Sequence, residues 1–576
     1  MMHDQIKIES KIRDEVEVVL SDGTVMSGPR HTPVGEFMRK YQKPEQPLIV
    51  GAIVNHELRE LTFPISADAK VTPVVMTDTD GARIYRRSLT FLLEVAFLEL
   101  FPDWTLTIDH SVSSGAYYCH VREQEPFQKE SLDALEARMR ALVDEDAPLL
   151  KEKVSLSEAK AFFSKLGQDD KLRLLNYRVG DDLVLYSLHD MRDYHHGYMV
   201  PSTGYLKRFD LQLIDLGFVI RFPGKHAPNY LSPLTSSPQL LTAFRQYGGW
   251  LETLGIQSVG ALNDAIKEDR INEVILVSEA LHTQQISRIA NDIRKGKEEI
   301  RVILIAGPSS SGKTTFSKRL MIQLLTEGIS PLALAIDNYF VDREDTPLNE
   351  KGEYDFEHID AVNRSLLNEH VSQLIAGERV QLRHYNFRKG KNEPGDEIRL
   401  APDQMIILEG IHGLNPKLLK NFPDEQTYKI YVSCLTQLNL DRHNRISTTD
   451  TRELRRIVRD SRDRGYTAQQ TINMWELVRQ GEKNHIFPYQ ENADIMFNSA
   501  LSYELSALKP LVEPLLRQVP FGSPEYIEAK RLLKFLQWFL PIDQNLIPDN
   551  SILREFIGDS ILSNFSIWQH NSMTHY

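Results

Sequence analysis

The chain has 576 residues, of which 41% are hydrophobic and 26% are charged, as in ordinary globular proteins. This length exceeds what one hydrophobic core organises, so we expect two to four domains. The formal net charge of −13 argues against a general polyanion-binding surface. The two cysteines, Cys119 and Cys434, are too far apart in sequence to suggest a disulfide framework or a metal knuckle, which fits a reducing cytosol.

The sequence carries no pattern that predicts membrane insertion. The first 11 residues lack the apolar core and the cleavage site of a signal peptide. No apolar run reaches 18 residues, and the longest candidate, LTFLLEVAFLELF, contains Glu94 and Glu99 and has a helical period. We therefore expect a soluble, cytoplasmic protein with no membrane partner.

Residues 1–75 alternate short β-prone runs with turns. The runs are VEVVLSDGTV, LIVGAIVNHEL and KVTPVVMTD, with one helical stretch, VGEFMRKYQ, among them. The turn Ser21-Asp22-Gly23 lies between two β-prone runs, which is a hairpin signal. The pattern predicts a small β-grasp-like module.

Residues 76–225 mix helical and strand patterns and predict an α+β domain. Helical periods are clear in SLTFLLEVAFLELF and SLDALEARMRALVDED, and β-prone runs include DLVLYSL and DLQLIDLGFVIRF. The polar, Pro/Ser-rich segment HAPNYLSPLTSSP then marks the main linker. Because helical patterns continue to the next strand, residues 226–297 form a predicted helical linker region.

Strands and helices alternate from residue 298 to about residue 520, which predicts a parallel sheet flanked by helices. Residues 521–576 have a helical pattern and form a predicted C-terminal tail. The chain as a whole is therefore predicted to be a multidomain α/β protein.

The segment RVILIAGPSSSGKTT, residues 301–315, contains a phosphate-binding pattern. Five apolar residues predict a buried parallel strand. Gly307 and Gly312 would let the backbone bend so that its N–H groups point at phosphate oxygens, and the following helix adds its positive end. A Gly/Ser-rich linker, the alternative, does not follow five aliphatic residues.

This pattern predicts that the chain binds a nucleoside triphosphate. Lys313 would reach the β- and γ-phosphates, and the hydroxyl of Thr314 would ligate Mg²⁺. The predicted nucleotide-binding residues are Gly307, Ser309, Ser310, Ser311, Gly312, Lys313, Thr314 and Thr315.

Two carboxylates follow predicted strands of the same sheet. Asp337 follows PLALAI, and Glu409 ends the run QMIILE. Ligands of open parallel sheets bind beyond the carboxyl ends of the strands, so both side chains should lie near Lys313. Phosphoryl transfer needs a group that accepts the acceptor's proton and a metal, so we predict Asp337 as the base and Glu409 as a metal ligand through water. Turn or N-cap carboxylates are the alternative.

Eight arginines fall within the 23 residues from Arg442 to Arg464. Four of them share one face of a predicted helix and could fold over a triphosphate as a lid of forked donors. These four are Arg452, Arg455, Arg456 and Arg459. A solvated helix paired with neighbouring acidic residues is the alternative.

Taken in order, six segments resemble the uridine kinase and phosphoribulokinase group of P-loop kinases. They are AGPSSSGKTTF, AIDNYF, YDFEHIDA, HYNF, ILEGIHGLN and TDTRELRRIVRDSRDRGYT, and they span roughly residues 300–520. By this resemblance Asp337 is the catalytic base, Lys313 and Thr314 hold phosphate and Mg²⁺, and Arg459 and Arg464 are lid arginines that contact ATP. The acceptor-binding residues that it implies are Glu357, Tyr385 and Arg456.

The chain departs from the uridine kinases at three positions that help to hold the pyrimidine nucleoside in that family. They are Gly390, Tyr466 and Met474, where the family has histidine, arginine and glutamine. Losing such hydrogen bonds costs orders of magnitude in discrimination. The resemblance therefore implies phosphoryl transfer to a hydroxyl, with a nucleoside, a sugar or a polyol as the acceptor.

The first half resembles threonyl-tRNA synthetase. The segment from SDGTVMSG to GAIVNHELRELTFPI is similar to its TGS module, and RRSLTFLLEVAFLELFPDW and HHGYMVPSTGYLKRFDL are similar to its editing-type domain. Where that domain has histidines and a cysteine, this chain has Arg87, Phe91, His195 and Met199. This set cannot form a zinc site, so the resemblance implies binding, regulation or scaffolding without metal ligands. The adjacent His195 and His196 are predicted to be surface turn residues, with a ligand pocket as the alternative.

Two functional hypotheses follow. The leading one is an ATP- and Mg²⁺-dependent small-molecule kinase whose N-terminal half tunes or localises its activity. The other is an RNA- or ribosome-associated regulator that uses the nucleotide site as a switch and the TGS-like module as a contact. RNA is the less favoured partner, and homo-oligomerisation stays open.

Overall fold

The computed structural model of the chain describes residues 13–112, 115–349, 352–420 and 422–565. The N-terminal residues considered above for a signal peptide lie outside this range. Within the described ranges, no helix is both long enough and apolar enough to span a bilayer. Both cysteines are buried and unpaired, in line with the absence of a predicted disulfide framework.

The N-terminal unit is a five-stranded sheet with one helix, and it matches the predicted run of strands. Its elements are β1 (Glu15–Leu20), β2 (Val25–Pro29), α1 (Val34–Tyr41), β3 (Ile49–Val54), β4 (Glu57–Arg59) and β5 (Ala69–Val75). The strand order is β2-β1-β5-β3-β4, with β1 parallel to β5. The predicted hairpin turn is confirmed, since the N–H of Gly23 donates to the carbonyl of Leu20 at 3.0 Å.

The second unit contains two antiparallel sheets, ordered β11-β12-β7-β6 and β10-β9-β8. The first elements are α2 (Thr79–Leu100), β6 (Leu106–Val112), β7 (Ala116–Val121), α3 (Lys129–Glu145), β8 (Leu150–Ser155) and α4 (Leu156–Lys165). The remaining ones are α5 (Asp169–Leu175), β9 (Asp182–Leu188), β10 (Met191–Asp193), β11 (Asp210–Ile214) and β12 (Gly217–Arg221). The run DLQLIDLGFVIRF forms the hairpin β11–β12, because Asp215 adopts a left-handed conformation at its middle.

Three helices follow the Pro/Ser-rich segment. They are α6 (Pro238–Leu254), α7 (Val259–Lys267) and α8 (Ile271–Lys295). Side chains of α7 and α8, such as Leu262 and Ile289, are buried in the same apolar cluster as Ile303 and Ile305 of the next strand. These helices therefore pack as part of the core that supports the following sheet.

The C-terminal half contains the predicted parallel sheet flanked by helices. Its first elements are β13 (Val302–Ala306), α9 (Lys313–Thr326), β14 (Pro331–Ala335), α10 (Arg364–Ile375), β15 (Arg379–Asn386), β16 (Lys391–Arg399) and β17 (Met405–Glu409). The others are β18 (Thr427–Ser433), α11 (Thr448–Arg464), α12 (Ala468–His485), β19 (Ile495–Asn498), α13 (Glu504–Arg517), α14 (Tyr526–Leu536) and α15 (Arg554–Ile557). The sheet order is β14-β17-β13-β18-β19, and all neighbours are parallel. The multidomain α/β prediction is confirmed.

The register of this sheet decides where its loops lie. Glu409 at the end of β17 pairs with Ile305 of β13 on one side and with Ala335 of β14 on the other. The carboxyl ends of three adjacent strands therefore lie side by side. This is the edge at which open parallel sheets bind their ligands.

The two halves of the chain meet through polar contacts of the loop between β18 and α11. The guanidinium of Arg442 binds Asp170 through Nε at 3.0 Å and Nη2 at 2.6 Å, and its backbone carbonyl accepts from the N–H of Ile108. Arg445 lies over the ring of Tyr117. These two arginines of the basic run thus face the N-terminal half.

A buried charged cluster lies at the same junction and contains His195, so the prediction of a surface turn is wrong. The Nε2 atom of His195 lies 3.3 Å from Glu94, and His443 of the C-terminal half lies 3.1 Å from Asp193. Burial raises the pKa of Glu94 to about 8 and lowers the pKa of His195 to about 4. The ammonium of Lys171 contacts Asp193 and supplies the positive charge of the cluster.

The predicted absence of metal ligands concerned four aligned positions, and the structure brings one of them, His195, together with two carboxylates from outside that set. Potential ligand atoms of Glu94, Asp193 and His195 all lie within 4.8 Å of one another. The ammonium of Lys171 pairs with Asp193 of this set, so a cation of the protein already balances that carboxylate. The neighbouring His196 accepts a hydrogen bond from the indole of Trp538 at 3.0 Å, which fixes it in the interior.

Replacing Arg442 by alanine should lower the melting temperature, because it removes the bidentate partner of Asp170. Hydrogen bonds to charged groups contribute about 1.5–3 kcal/mol, which corresponds to several degrees. Arg173→Ala is a matched control, since Arg173 is 56% exposed and lies 3.7 Å from its acidic neighbour. Equal melting temperatures for the two variants, measured by calorimetry, would contradict this role of Arg442.

Candidate nucleotide and phosphoryl-transfer site

The loop between β13 and α9 bends sharply at two glycines. A Cβ atom on Gly307 would lie 1.9 Å from the carbonyl oxygen of Val432, so this position admits no side chain. Gly312 has φ +84°, in the region that favours glycine, and precedes the first residue of α9. The predicted bend from strand to helix is therefore present.

The first turn of α9 presents backbone N–H groups to the open end of the sheet. Its first intrahelical bond runs from Phe316 to Gly312, so the amides of Lys313, Thr314 and Thr315 precede the helical ladder. Lys313 lies at the same end, and its ammonium donates to the carbonyl of Pro308 at 3.1 Å. Together they form a site suited to a phosphate chain.

The three serines of the loop have different environments. The N–H of Ser309 donates to the carboxylate of Glu482 at 3.0 Å, and its hydroxyl accepts from Arg456 at 2.8 Å. The hydroxyls of Ser310 and Ser311 are buried and have no hydrogen-bond partner among the described residues. Hydrogen bonds therefore fix the loop at Ser309, while the hydroxyls of Ser310 and Ser311 are available to a ligand.

The structure brings both predicted strand-end carboxylates to Lys313. Burial raises the pKa of Asp337, and Lys313 and Arg464 oppose this rise. Burial likewise raises the pKa of Glu409 to about 7, opposed by Lys313. Both carboxylates are therefore near an ammonium, and both are partly buried.

The residues around Thr314 fit a hard divalent cation. The Thr314 hydroxyl lies 3.3 Å from the carboxylate of Glu409, and Asp337 is close enough to Glu409 to raise its pKa. Hydroxyl and carboxylate oxygens are the donors that Mg²⁺ prefers. This donor set would suit such an ion, and Thr314 and Glu409 stay the predicted metal-binding residues.

The arginines of α11 divide into two groups, so the prediction of a single four-arginine lid is wrong. Arg452 and Arg455 are 1% and 0% exposed and lie beneath the loop. Arg452 donates to the carbonyl of Ser309 at 3.0 Å and pairs with Glu482. Arg455 pairs with Glu504 at 2.6 Å. The helical period correctly places these arginines on one face, but it cannot show that this face packs against α12 and α13, which supply the acidic partners Glu482 and Glu504.

The second group surrounds the buried carboxylate of Asp460. Arg456 lies 3.1 Å from it, Arg459 2.8 Å and Arg464 3.4 Å. Three guanidinium groups on one carboxylate leave a net positive charge beside the loop. Burial and the neighbouring arginines lower the pKa of Arg456 and of Arg464. Arg456 contacts the loop at Ser309, while Arg459 and Arg464 stay predicted contacts of the triphosphate.

The implied acceptor side lies around Glu357 and Tyr385. Burial and the nearby Glu482 raise the pKa of Glu357 to about 7, opposed by Arg456, and its Oε2 has no hydrogen-bond partner among the described residues. Tyr385 is buried on β15 and packs edge-on against Phe340, which follows the Asp337 turn. The structure therefore places both side chains next to the elements that carry the phosphate site.

Gly390, one of the three positions at which the chain departs from the uridine kinases, contacts an arginine. Gly390, which replaces the family's histidine, lies against the guanidinium of Arg343, and its carbonyl accepts from the Arg343 N–H at 2.8 Å. An arginine therefore stands near the place where the related enzymes have an imidazole.

Two acidic residues of the site were missed by sequence reasoning. Glu482 binds the Ser309 amide and Arg452, and Glu555 accepts from the N–H and the hydroxyl of Thr315 at 3.0 and 2.8 Å. Neither lies in a motif, and both come from helices far along the chain. Only the tertiary fold brings them to the loop.

Comparison with known proteins finds similarity in both halves of the chain. Residues 302–506 match the Phosphoribulokinase / Uridine kinase family. A solved structure described as a possible uridine kinase from Bacillus stearothermophilus aligns over 34% of this chain and 89% of its own, at 19% identity and a TM-score of 0.24. Residues 302–506 are therefore similar to this family.

The N-terminal region matches threonine–tRNA ligases. The protein from Burkholderia lata is 32% identical over 200 residues, which are 34% of this chain and 31% of the ligase. The protein from Acidithiobacillus ferrooxidans is 37% identical over 158 residues, 27% of this chain and 24% of the ligase. The chain thus spans about a third or less of the length of these relatives.

Arg452→Ala should destabilise the protein without nucleotide by about 1.5–3 kcal/mol, because it removes the two-pronged partner of the buried Glu482 and leaves that carboxylate to Arg479 and the Ser309 N–H. Arg459→Ala is the control on the same helix, since Asp460 keeps two other arginines, and a loss of about 1 kcal/mol or less is expected. Denaturant unfolding of the nucleotide-free protein measures both. A lid role for Arg452 predicts no change in this experiment.

Proposed function

We propose that the protein is an ATP- and Mg²⁺-dependent kinase that transfers the γ-phosphate to a hydroxyl of a nucleoside or a related sugar or polyol. One observation carries this proposal above all. The ends of three adjacent parallel strands bring Asp337 and Glu409 to Lys313 at the first turn of α9. Phosphoryl transfer requires little more than this set of groups in one place.

The phosphate chain of ATP would lie along the loop from Gly307 to Thr315. Backbone amides and the Lys313 ammonium would hold the phosphates, with Arg459 and Arg464 on the open side. The buried Arg452 and Arg455 act differently, since they hold the loop itself through carbonyls of Ser309 and Ser310. Donors fixed in advance cost no reorganisation during the reaction.

The chemical step assigned to Asp337 is proton removal. The acceptor oxygen forms a bond to the γ-phosphorus while the bond from that phosphorus to the β-γ bridging oxygen breaks, and ADP leaves. The carboxylate of Asp337 takes the hydroxyl proton. A Mg²⁺ ion held by Thr314 and Glu409 would supply charge neutralisation on the phosphates.

The acceptor would bind on the side of Glu357, Tyr385 and Arg456. Glu357 is buried with one unpaired oxygen, which would favour an acceptor carrying hydroxyl donors. Arg456 offers a second polar contact at the same side, next to Ser309. These groups favour a polyhydroxyl acceptor, and the arginine over Gly390 argues for different base recognition than in the uridine kinases.

Asp337→Asn should keep ATP binding and lose phosphoryl transfer by at least 100-fold, since removing a general base costs about 10²–10⁴ in rate. Lys313→Ala should lose both. Asp345→Asn is the matched control, because Asp345 is exposed on the segment that follows. ADP release measured with a panel of nucleosides, sugars and inositols supplies the readout.

Transfer near the wild-type rate in Asp337→Asn would exclude Asp337 as the base. ATP binding with no acceptor-dependent ADP release across the panel would argue against the kinase. ATP turnover that responds to RNA and ignores every small acceptor would point to a nucleotide switch instead.

The value of kcat/KM should rise with pH through about 7 and level off above pH 8. The pKa of Asp337 is raised by burial, and those of Glu357 and Glu409 are near 7 for the same reason. These carboxyl groups must lose their protons to accept a proton, bind substrate or bind metal, so activity falls as pH drops. A profile that is flat between pH 5.5 and 8.5 would contradict these assignments.

A further inference from the structure

The segment 548–563, which we name the C-terminal strap, lies against the phosphate-binding turn. Ile552 packs so closely on Gly312 that a Cβ there would lie 2.5 Å from its methyl group. Further along, the carbonyls of Leu562 and Ser563 accept from Lys318 of α9 at 2.6 and 3.0 Å. The strap lies outside residues 302–506, which match the kinase family.

The strap is also held from α11. Arg462 donates to the carbonyl of Phe556 at 2.7 Å, and the guanidinium of Arg455 lies 4.9 Å from the Phe556 ring centroid. Ile552, Leu553 and Phe556 are fully buried. Undocking the whole strap would expose three large apolar side chains, so its backbone is a fixed part of this site.

The side chain of Glu555 is the polar group that the strap places on the phosphate-binding turn. One carboxylate oxygen accepts from both the N–H and the hydroxyl of Thr315. This amide is one of the three at the start of α9, where an anion is stabilised by the free N–H groups and the helix dipole. Glu555 also raises the pKa of Glu409, so it lies close to the predicted metal ligand.

We propose that Glu555 is an internal competitor of the nucleotide: its carboxylate occupies a phosphate-binding amide and must leave it when a polyphosphate binds. The inference rests on the proposed ATP site and adds a regulatory residue to it. Two anions cannot share the Thr315 donors, and the negative charges repel each other. Glu555 is only partly buried, so a rotation of its side chain frees the amide while the strap stays docked.

Under this competition, the apparent affinity for ATP equals the affinity of molecules with a free Thr315 amide multiplied by the fraction of molecules in that state. Whatever draws Glu555 away from Thr315 raises that affinity. The strap therefore gives this chain a control on nucleotide binding that the matched kinase segment does not itself contain.

Glu555→Gln should bind inorganic tripolyphosphate and ATP about tenfold more tightly than the wild type, the effect of one charge-assisted hydrogen bond. Glu555→Asp, which keeps the charge but draws it back by one methylene, should bind both about threefold more tightly. Asp549→Asn is the matched control, because it removes one charge from an exposed position of the same strap and should change binding less than twofold. Calorimetric titration of the full chain measures each affinity.

Unchanged or weaker binding of both ligands in Glu555→Gln, with Asp549→Asn like the wild type, would overturn the competition and assign Glu555 to holding the turn. The two ligands separate this result from a failure of the kinase proposal. Tighter tripolyphosphate binding in Glu555→Gln without acceptor-dependent ADP release supports the competitor and contradicts the kinase. Binding of neither ligand by any variant overturns both.

Discussion

One ammonium group organises the charge of the site. Lys313 lowers the pKa of Asp337, Glu357 and Glu409 against the burial that raises all three. Lys313 is the one cation that acts on all three carboxyl groups, and Arg464 and Arg456 each add to its effect on one of them, so ionising all three at once is costly without further positive charge. A metal ion would supply what is missing, while a bare anion would add to the excess. The arrangement thus favours a nucleotide that arrives with its cation.

This placement depends on a loop that is fixed from below. Arg452 and Arg455 hold carbonyls of the loop and pair with Glu482 and Glu504 in the interior. Buried pairs of this kind bring little net stability, because desolvation offsets most of the attraction. Their consequence here is geometric, since they fix the carbonyls of Ser309 and Ser310 and with them the amides of Ser310 and Ser311 in the same peptide planes. Arginine rather than lysine suits this task, because its planar fork bonds a carbonyl and a carboxylate together.

The parts of the site that could be predicted are those that lie in one stretch of chain. The bend at Gly307 and Gly312 follows directly from the strand and helix around it, and Asp337 and Glu409 could be placed because carboxyl ends of parallel strands meet at one edge. The burial of Arg452 could not be predicted, since an arginine on a helix face is equally compatible with solvent or with a hidden acid. The contacts of Glu482 and Glu555 with the loop could not be predicted either, because both residues are distant from it in sequence and lie in no motif.

The junction of the two halves and the phosphate site share one connecting loop. Residues 434–447 run from β18, beside the central strand, to the start of α11. On the way Arg442 and His443 bind Asp170 and Asp193 of the N-terminal half. Because α11 then carries the arginines that hold the phosphate-binding loop, the N-terminal half fixes the beginning of the helix on which that loop rests. His443 of the C-terminal half completes the charged cluster at His195. In the part of the first half that is similar to the ligases, this cluster is therefore a buried, charged contact between the two halves.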